Sequence, residues 1–410
     1  MGWSRRDFVR LISGTAAGGL LPSLSSGHAR GASGGETLPQ PGNAGATEPP
    51  QTALKVPVIY STDLFHPPGD PDDHVDLATL FSLPELDTRA LILDEGEMQT
   101  VKSGQVPVKQ MMALTGRQVP YAAGLGTALR YPEDKGLNQF SVYQAGVKLI
   151  LKALRESTQP VYIITTGSVR DVMATFNREP QLFREKVARI YVNAGNSGGG
   201  DLYWNPSLDP QAYIQLMRAG LPVYWCPCFG GLETLEDLAA GRLPVQQYQT
   251  FWQFRQADIF GALSQPWQNF FLYALGQKIV SQVDPIAYLS RAPEPALRAE
   301  QWKQNRNMWS TASIIHASGR KLYRGKDSWA ALREAKPGTT SSEVFDFIPA
   351  EVTIDVDLHV TEKFTDVTGS FRLFHILDLE NYAKAMLTSL RRLLAEMPLA
   401  APFAGKRGTA

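Results

Sequence analysis

The sequence has no excess of either charge, very few cysteines and no long apolar run, and each absence excludes a class of protein. Its 410 residues include 40 basic and 40 acidic side chains, so the formal net charge is zero. A balanced chain lacks the positive surface that binds nucleic acid or an anionic membrane. We therefore expect neither nucleic acid nor a membrane surface as a partner.

The two cysteines, Cys226 and Cys228, both lie in the segment VYWCPC. The loop between them is too short to close well as a disulfide, and two thiols without a nearby histidine do not form a zinc site. We interpret both as small buried residues. The composition is otherwise that of a globular protein, with 43% hydrophobic and 20% charged residues.

The N-terminal residues indicate an export signal. Paired Arg5 and Arg6 precede a Gly-rich apolar stretch that is too short to span a bilayer stably. The segment SRRDFVRL resembles a twin-arginine signal, which directs a folded protein across a membrane. We expect residues 1–29 to be a signal peptide for the twin-arginine machinery and residues 30–53, rich in Gly and Pro, to be a disordered linker. The protein would then be periplasmic or secreted, without a stable membrane anchor.

From residue 54 onward, strand-like and helix-like segments alternate. Apolar runs predict strands at residues 56–61, 89–94, 161–166, 188–193 and 221–226. Amphipathic segments predict helices at residues 74–83, 105–116, 141–157, 169–178 and 209–219. This alternation predicts a mostly parallel central sheet with helices on both faces. We expect one α/β domain over residues 54–400, with a small C-terminal β/α extension.

The segment IYSTDLFHPPGDPDDHVDL crowds four carboxylates around one predicted strand-to-helix turn, namely Asp63, Asp70, Asp72 and Asp73. In a parallel α/β sheet, ligands bind at the carboxyl ends of the strands. Like charges at such short spacing repel unless a cation lies between them. Clustered oxygens suit Ca²⁺, although an aspartate pair at a helix start can also serve only as a cap and a dipole partner.

These residues belong to an ordered set of motifs that resembles the inosine-uridine-preferring nucleoside hydrolase family. The resemblance rests on TD…DDHVDLATLFSLPELDTRALI, VYIITTGSVRDVMATFNREPQLFREKVARIYVNAG, YWNPSLDPQAYIQLMRAGLPVYW and VDPIAYL, within residues 54–290. Members of this family cleave the N-glycosidic bond of ribonucleosides with a tightly held Ca²⁺. The resemblance implies a divergent member with the same α/β fold, the same reaction and a homo-oligomeric state.

The resemblance also implies roles for single residues. Four oxygen donors would bind Ca²⁺: Asp63, Asp73, the backbone carbonyl of Thr166 and Asp284. Asp72 would be the general base that takes a proton from the attacking water. Five residues would contact the substrate: His66, Glu97, Asn196, Trp204 and Asn205. The segment 305–324 resembles a helix with a mixed face, which either lines the pocket or packs in the core.

The chain departs from the family pattern at positions that would contact the sugar and the base. Its loop between Asp63 and the pair Asp72-Asp73 is longer than in the family. Glu95 or Glu97 lies near the position where the family has an asparagine. Tyr203 and Val283 stand where the family has a glutamate and often a histidine. We therefore expect an exported Ca²⁺-dependent nucleosidase. The alternatives are a periplasmic sugar- or nucleoside-binding protein that keeps the Ca²⁺ site, with altered specificity or no catalysis, and carboxylates that only stabilise the fold.

Overall fold

A nine-stranded sheet runs through the centre of the computed structural model. The structure describes residues 55–96, 98–201, 203–231, 233–276, 283–341, 343–365 and 369–404. The predicted signal peptide and linker, together with Glu97, lie outside these ranges. No helix in the described part of the chain is long and apolar enough to cross a membrane.

The strands are β1 (Val56–Thr62), β2 (Leu86–Leu93), β3 (Tyr121–Ala123), β4 (Val161–Thr165), β5 (Val187–Asn193), β6 (Val223–Cys226), β7 (Trp252–Arg255), β8 (Asn305–Met308), β9 (Lys321–Arg324), β10 (Trp329–Leu332), β11 (Thr340–Ser341), β12 (Phe345–Ile354), β13 (Val360–Phe364) and β14 (Phe371–Ile376).

The α-helices are α1 (Asp72–Phe81), α2 (Gln105–Thr115), α3 (Ala145–Glu156), α4 (Arg170–Arg178), α5 (Pro180–Lys186), α6 (Trp204–Leu208), α7 (Pro210–Arg218), α8 (Leu235–Ala239), α9 (Gln256–Ile259), α10 (Gln265–Leu275), α11 (Pro285–Tyr288), α12 (Pro295–Gln301), α13 (Thr311–Ala317) and α14 (Tyr382–Glu396). Short 3₁₀ helices cover Ser141–Gln144 and Phe260–Ala262.

The central sheet is mostly parallel, as the sequence predicts. Its strand order is β13-β12-β14-β6-β5-β4-β1-β2-β3. Parallel pairing runs from β14 to β3, and β12 and β13 add an antiparallel edge. β1 lies between β4 and β2, so its end is surrounded by the ends of two other parallel strands.

Apolar cores cover both faces of the sheet. Along β1, Val58 and Tyr60 belong to one core and Ile59 to the other, because successive side chains of a strand point to opposite faces. Val75 of α1 packs in the first core, and Val172 of α4 packs in the second. The nearly continuous apolar strands therefore have the covering on both sides that their composition predicts.

The C-terminal part extends the central sheet, and it differs from the sequence-based expectation in one segment. Its strands β12 to β14 continue the central sheet, because β14 pairs with β6. The segment 305–324 forms strand β8, helix α13 and strand β9, so its interpretation as one helix was wrong. Strand β8 forms because Met308 pairs with Trp252 of β7, a long-range contact that local periodicity does not reveal.

Candidate active site

The candidate site lies at the carboxyl end of β1, in the centre of the sheet. β1 ends at Thr62, and Asp63 follows it directly. α1 begins at Asp72 and places Asp72 and Asp73 in its first turn. The backbone N–H groups of a helix N-terminus and the helix dipole favour negative charge there. The fold thus brings three carboxylates from the strand end and the helix start to one turn.

The loop between Asp63 and Asp72 is held against the neighbouring segment. Gln99 Nε2 donates a hydrogen bond to the Asp63 carbonyl at 2.7 Å. The backbone N–H of His66 donates to the Lys102 carbonyl at 3.2 Å. These contacts give the long loop a defined path beside the site.

Two hydroxyl groups orient Asp73. Its Oδ1 accepts hydrogen bonds from Thr62 Oγ1 and Thr166 Oγ1, each at 2.8 Å. The Thr166 hydroxyl also lies 3.1 Å from the Tyr60 hydroxyl. The first turn of α1 is therefore connected to the ends of both β1 and β4. This places Thr166, whose carbonyl is a predicted ligand, beside Asp73.

The electrostatics of the turn are unfavourable for ionised carboxylates. Burial is the largest cause that raises the pKa of Asp72 well above its ordinary value, and four neighbouring charges raise it further: Asp70, Asp73, Asp76 and Asp63. Burial also raises the pKa of Asp73, although its two threonine hydrogen bonds act in the opposite direction. A positive charge among these groups would favour their ionised forms.

The residues at the turn fit a hard cation in their chemistry. Asp63, Asp72 and Asp73 supply carboxylate oxygens, and Thr166 lies beside them, a donor set that suits Ca²⁺. Desolvated carboxylates that repel one another are stabilised by a bound cation. In the described ranges, no group of three or more His, Cys, Asp or Glu side chains is arranged so that it could hold a metal ion.

Arg170 connects the segments around the site. Its side chain is almost completely buried, and its NH1 donates to the carbonyls of Glu95 and Leu125 at 2.7 and 2.8 Å. NH2 donates to the Leu208 carbonyl at 2.9 Å, and Nε donates to Asp209 Oδ2 at 3.1 Å. One guanidinium thus joins the segments that follow β2, β3 and α6.

The turn after β4 packs tightly against the start of the acidic loop. The backbone N–H of Ser168 donates to Asp94 Oδ2 at 2.8 Å. A Cβ atom added to Gly167 would lie 2.7 Å from the Asp63 nitrogen. Only glycine therefore fits between the β4 turn and Asp63 without a shift of the backbone.

Part of the sequence is similar to known ribonucleoside hydrolases. No protein-family model matches the chain. The pyrimidine-specific ribonucleoside hydrolase RihA of Citrobacter koseri is 30% identical over 193 residues, which are 42% of this chain and 59% of that protein. RihA proteins of Salmonella paratyphi A and Escherichia coli O7:K1 are 28% and 27% identical over 192 residues. The chain thus spans less than two thirds of the relatives that it matches.

Solved structures extend the similarity to most of the described chain. An inosine-guanosine nucleoside hydrolase aligns with a TM-score of 0.52 at 13% identity, covering 84% of this chain and 100% of that one. A purine-preferring ribonucleoside hydrolase from Gardnerella vaginalis aligns with a TM-score of 0.50 at 14% identity, covering 83% and 99%. The chain has the nucleoside hydrolase fold.

Within this fold, the predicted sugar ligand Asn205 bonds the backbone. Its Nδ2 donates to the Thr166 carbonyl at 3.2 Å and to the Asn193 carbonyl at 2.7 Å. Asn196 is also engaged locally, since its Nδ2 donates to the Gly231 carbonyl at 2.9 Å. Asn205 therefore holds the carbonyl that is a predicted Ca²⁺ ligand, and its contact with a sugar stays a prediction.

The structure describes three further predicted site residues, Trp204, His66 and Asp284. Trp204 begins α6 and is partly exposed. The His66 ring stacks on Tyr273 at 5.0 Å, and burial lowers the pKa of His66 to about 4, which disfavours a protonated acid at neutral pH. Asp284 is exposed, and its Oδ1 accepts from the first N–H groups of α11. This oxygen caps a helix, and the role of Asp284 as a metal ligand stays a prediction.

Three features of the site are absent from the sequence-based prediction. Asp70 pairs with Arg306, and the buried Asp76 accepts a hydrogen bond from Thr311 Oγ1 at 3.0 Å.

Cys226 is buried as expected, whereas Cys228 is only partly buried. Burial raises the pKa of the Cys228 thiol, as do the charges of nearby aspartates, so this thiol lies near the acidic turn. The DxDDxxD spacing could have indicated Asp76, which lies one helical turn after Asp72.

Proposed function

We propose that this protein hydrolyses the N-glycosidic bond of ribonucleosides, or of related ribosides, to free base and sugar with the help of Ca²⁺. The observation that carries the proposal is the acidic turn at the carboxyl end of β1, where Asp63 is buried and Asp72 and Asp73 of the first turn of α1 are partly exposed. The similarity to ribonucleoside hydrolases over 193 residues supports the same reaction. Like-charged carboxylates at a binding edge are costly unless they serve a ligand.

Asp72 is the proposed general base. Asp73 Oδ1 is held by two hydroxyls, whereas the described residues offer the Asp72 carboxylate no hydrogen bond. An unengaged carboxylate can accept a proton from a water molecule aimed at the anomeric carbon. The transition state of such a cleavage resembles an oxocarbenium ion, as in glycoside hydrolysis. Asp72 must be ionised to act, so a positive charge at the turn would favour the active form.

Asp63, Asp73 and the Thr166 carbonyl are the proposed holders of Ca²⁺, and Asp284 is proposed as a further ligand. When bound, the ion would orient the sugar hydroxyls and a water molecule, and it would offset the negative charge of the carboxylates. The chain itself supplies the rigid support. Asn205 holds the Thr166 carbonyl, and Thr62 holds Asp73.

Asp72→Asn tests this proposal. The substitution should abolish release of base from every nucleoside that the wild type cleaves, because an amide cannot accept the proton. It should also raise the melting temperature in a chelator, because it removes one of several repelling charges. Asp87→Asn is a matched control, since Asp87 forms an exposed ion pair with Arg89 on β2. Base release is followed chromatographically and unfolding by circular dichroism.

Two outcomes would count against the nucleosidase. Wild-type protein that binds Ca²⁺ but releases no base from a broad panel of ribonucleosides would remove the catalytic claim. Full activity of Asp72→Asn would remove the assignment of the base. Calorimetry with Ca²⁺ and thermal unfolding with and without a chelator establish whether the ion binds at all.

A binding protein that keeps the Ca²⁺ site is the second candidate. The Asn205 amide, which bonds two backbone carbonyls, favours this candidate. The low pKa of His66 also favours it, because His66 is then not a protonated acid at neutral pH. Tight binding of a nucleoside or ribose without product after long incubation would support it. Detection of free base would exclude it.

We also propose export by the twin-arginine pathway, which the segment SRRDFVRL supports. Residues 1–29 fused to a reporter should direct it out of the cytoplasm. Replacing Arg5 and Arg6 by lysine should retain the reporter inside. Export of the lysine variant through the same pathway would contradict the proposal.

A further inference from the structure

An ion pair from a distant strand meets the long loop that leads into the candidate site. Arg306 NH1 donates to Asp70 Oδ1 at 2.5 Å. The two side chains are only 10% and 14% exposed. Arg306 Nε is also buried and has no partner within the described part of the chain. This pair is therefore mostly removed from water, unlike the exposed ion pairs on the surface.

Asp70 lies next to the proposed general base. It precedes Asp72 by two residues, and Pro71 is the N-cap residue of α1. The charge of Asp70 contributes to the raised pKa of both Asp72 and Asp73. Only Pro71 separates Asp70 from the first turn of α1.

Arg306 lies in a paired strand. It lies on β8, where it pairs with Phe254 of β7. Shortly after β8, Thr311 Oγ1 donates to Asp76 Oδ1, one turn further along α1. One segment, 306–311, thus holds the loop before α1 and the second turn of α1. The start of the helix lies between these two contacts.

We propose that Arg306 is a positioning residue, which holds Asp72 and Asp73 in place for Ca²⁺ by fixing Asp70. This inference rests on the proposed function, since it concerns the same site. The pairing also places a positive charge beside one of the carboxylates that repel one another at the turn. The sequence separates the two partners by 236 positions, so the pair depends on the packing of the β7–β8 ribbon against the acidic loop.

The two roles that Arg306 could have, as a positive charge or as a positioning residue, predict opposite effects of its removal on Ca²⁺ binding. If Arg306 acted only as a positive charge, its removal would strengthen cation binding, because the site would become more negative. If Arg306 positions the turn, its removal weakens binding, since residues behind metal ligands typically contribute about 10- to 100-fold to affinity. The sign of the change therefore separates the two roles.

The experiment measures Ca²⁺ affinity by calorimetry on the full chain without substrate. Arg306→Met should weaken binding about tenfold. Arg306→Lys should weaken it less, because lysine keeps a charge that can reach Asp70. Arg255→Met is the matched control and should bind as wild type. Arg255 lies on the neighbouring strand β7 and forms an exposed ion pair with Asp258.

Asp70→Asn completes a double-substitution cycle. It should weaken Ca²⁺ binding about as much as Arg306→Met, and combining both should add little, because both remove the same contact. Unchanged or tighter binding in Arg306→Met would overturn the proposal, as would fully additive effects. If Arg306→Met does not fold, Arg306→Lys and Asp70→Asn decide the outcome, and wild-type affinity in both would overturn it.

Failure of this inference and failure of the proposed function give different results. Wild type that binds Ca²⁺ but releases no base would remove the nucleosidase, while the affinities of the variants would still test Arg306. Wild type that releases base, with unchanged Ca²⁺ affinity in Arg306→Met, would remove the positioning role alone. Wild type that binds no Ca²⁺ would overturn both.

Discussion

Replacing Asp171 by asparagine should stabilise the protein increasingly as the pH rises. Asp171 is buried near the start of α4, and both of its carboxylate oxygens lie 3.1 Å from the Leu125 nitrogen. Burial, with a further contribution from the charge of Asp94, raises the pKa of Asp171 to about 7, while the charge of Arg170 opposes the change. The folded state thus disfavours the ionised form of this carboxyl group.

The sign and size of the effect follow from linkage between protonation and folding. The ordinary pKa of 3.8 applies to the unfolded chain, and about 7 applies to the folded one. Below about pH 4 the group is protonated in both states, and stability is lost as the pH rises from about 4 to about 7. The difference is equivalent to about 4 kcal/mol. An asparagine at this position would carry no such penalty, and its side-chain oxygen can still accept from the Leu125 nitrogen.

Chemical denaturation from pH 5 to pH 8 measures the prediction. The gain in the free energy of unfolding from Asp171→Asn should grow with pH and level off above pH 7. Asp134→Asn is a control of opposite sign. A hydrogen bond from the Arg130 side chain lowers the pKa of Asp134 to about 2, so its substitution should destabilise the protein evenly across this range. A gain for Asp171→Asn that is independent of pH would refute the reasoning.

Two further predictions concern the support of the site. Gly167→Ala should weaken Ca²⁺ binding and lower the melting temperature, because its Cβ would lie 2.7 Å from the Asp63 nitrogen. Gly261→Ala, whose nearest neighbour would lie at 3.9 Å, should change neither property in calorimetry or thermal unfolding. Arg170→Met should lower the free energy of unfolding by about 3–5 kcal/mol, because it leaves Asp209 buried without this cationic partner. A loss below about 1 kcal/mol in chemical denaturation would contradict it.

The mostly parallel character of the sheet could be predicted because its signals are local. Continuous apolar runs, separated by amphipathic segments, indicate parallel strands buried on both faces. The strand that ends at Thr62 and the helix that opens with Asp72 follow from the same pattern. Since parallel strands end at one edge, the proximity of Asp63, Asp73 and Thr166 follows as well.

The directions of several side chains could not be predicted in the same way. Asn205 bonds the Thr166 and Asn193 carbonyls, whereas the family resemblance predicted a sugar contact. Asp284 caps its own helix through Oδ1. Each of these side chains has several hydrogen-bond partners within reach, and the choice depends on how the neighbouring segments pack.

The sequence by itself determined the parallel sheet, its order of strands and helices, and the crowding of carboxylates at the end of β1. These features depend on the period of apolar residues and on the identity of residues at strand ends. Only the tertiary structure decided that Arg306 pairs with Asp70 and that Arg170 joins three segments around the site. Such contacts join residues far apart in the chain, and they exist only after separate elements pack together.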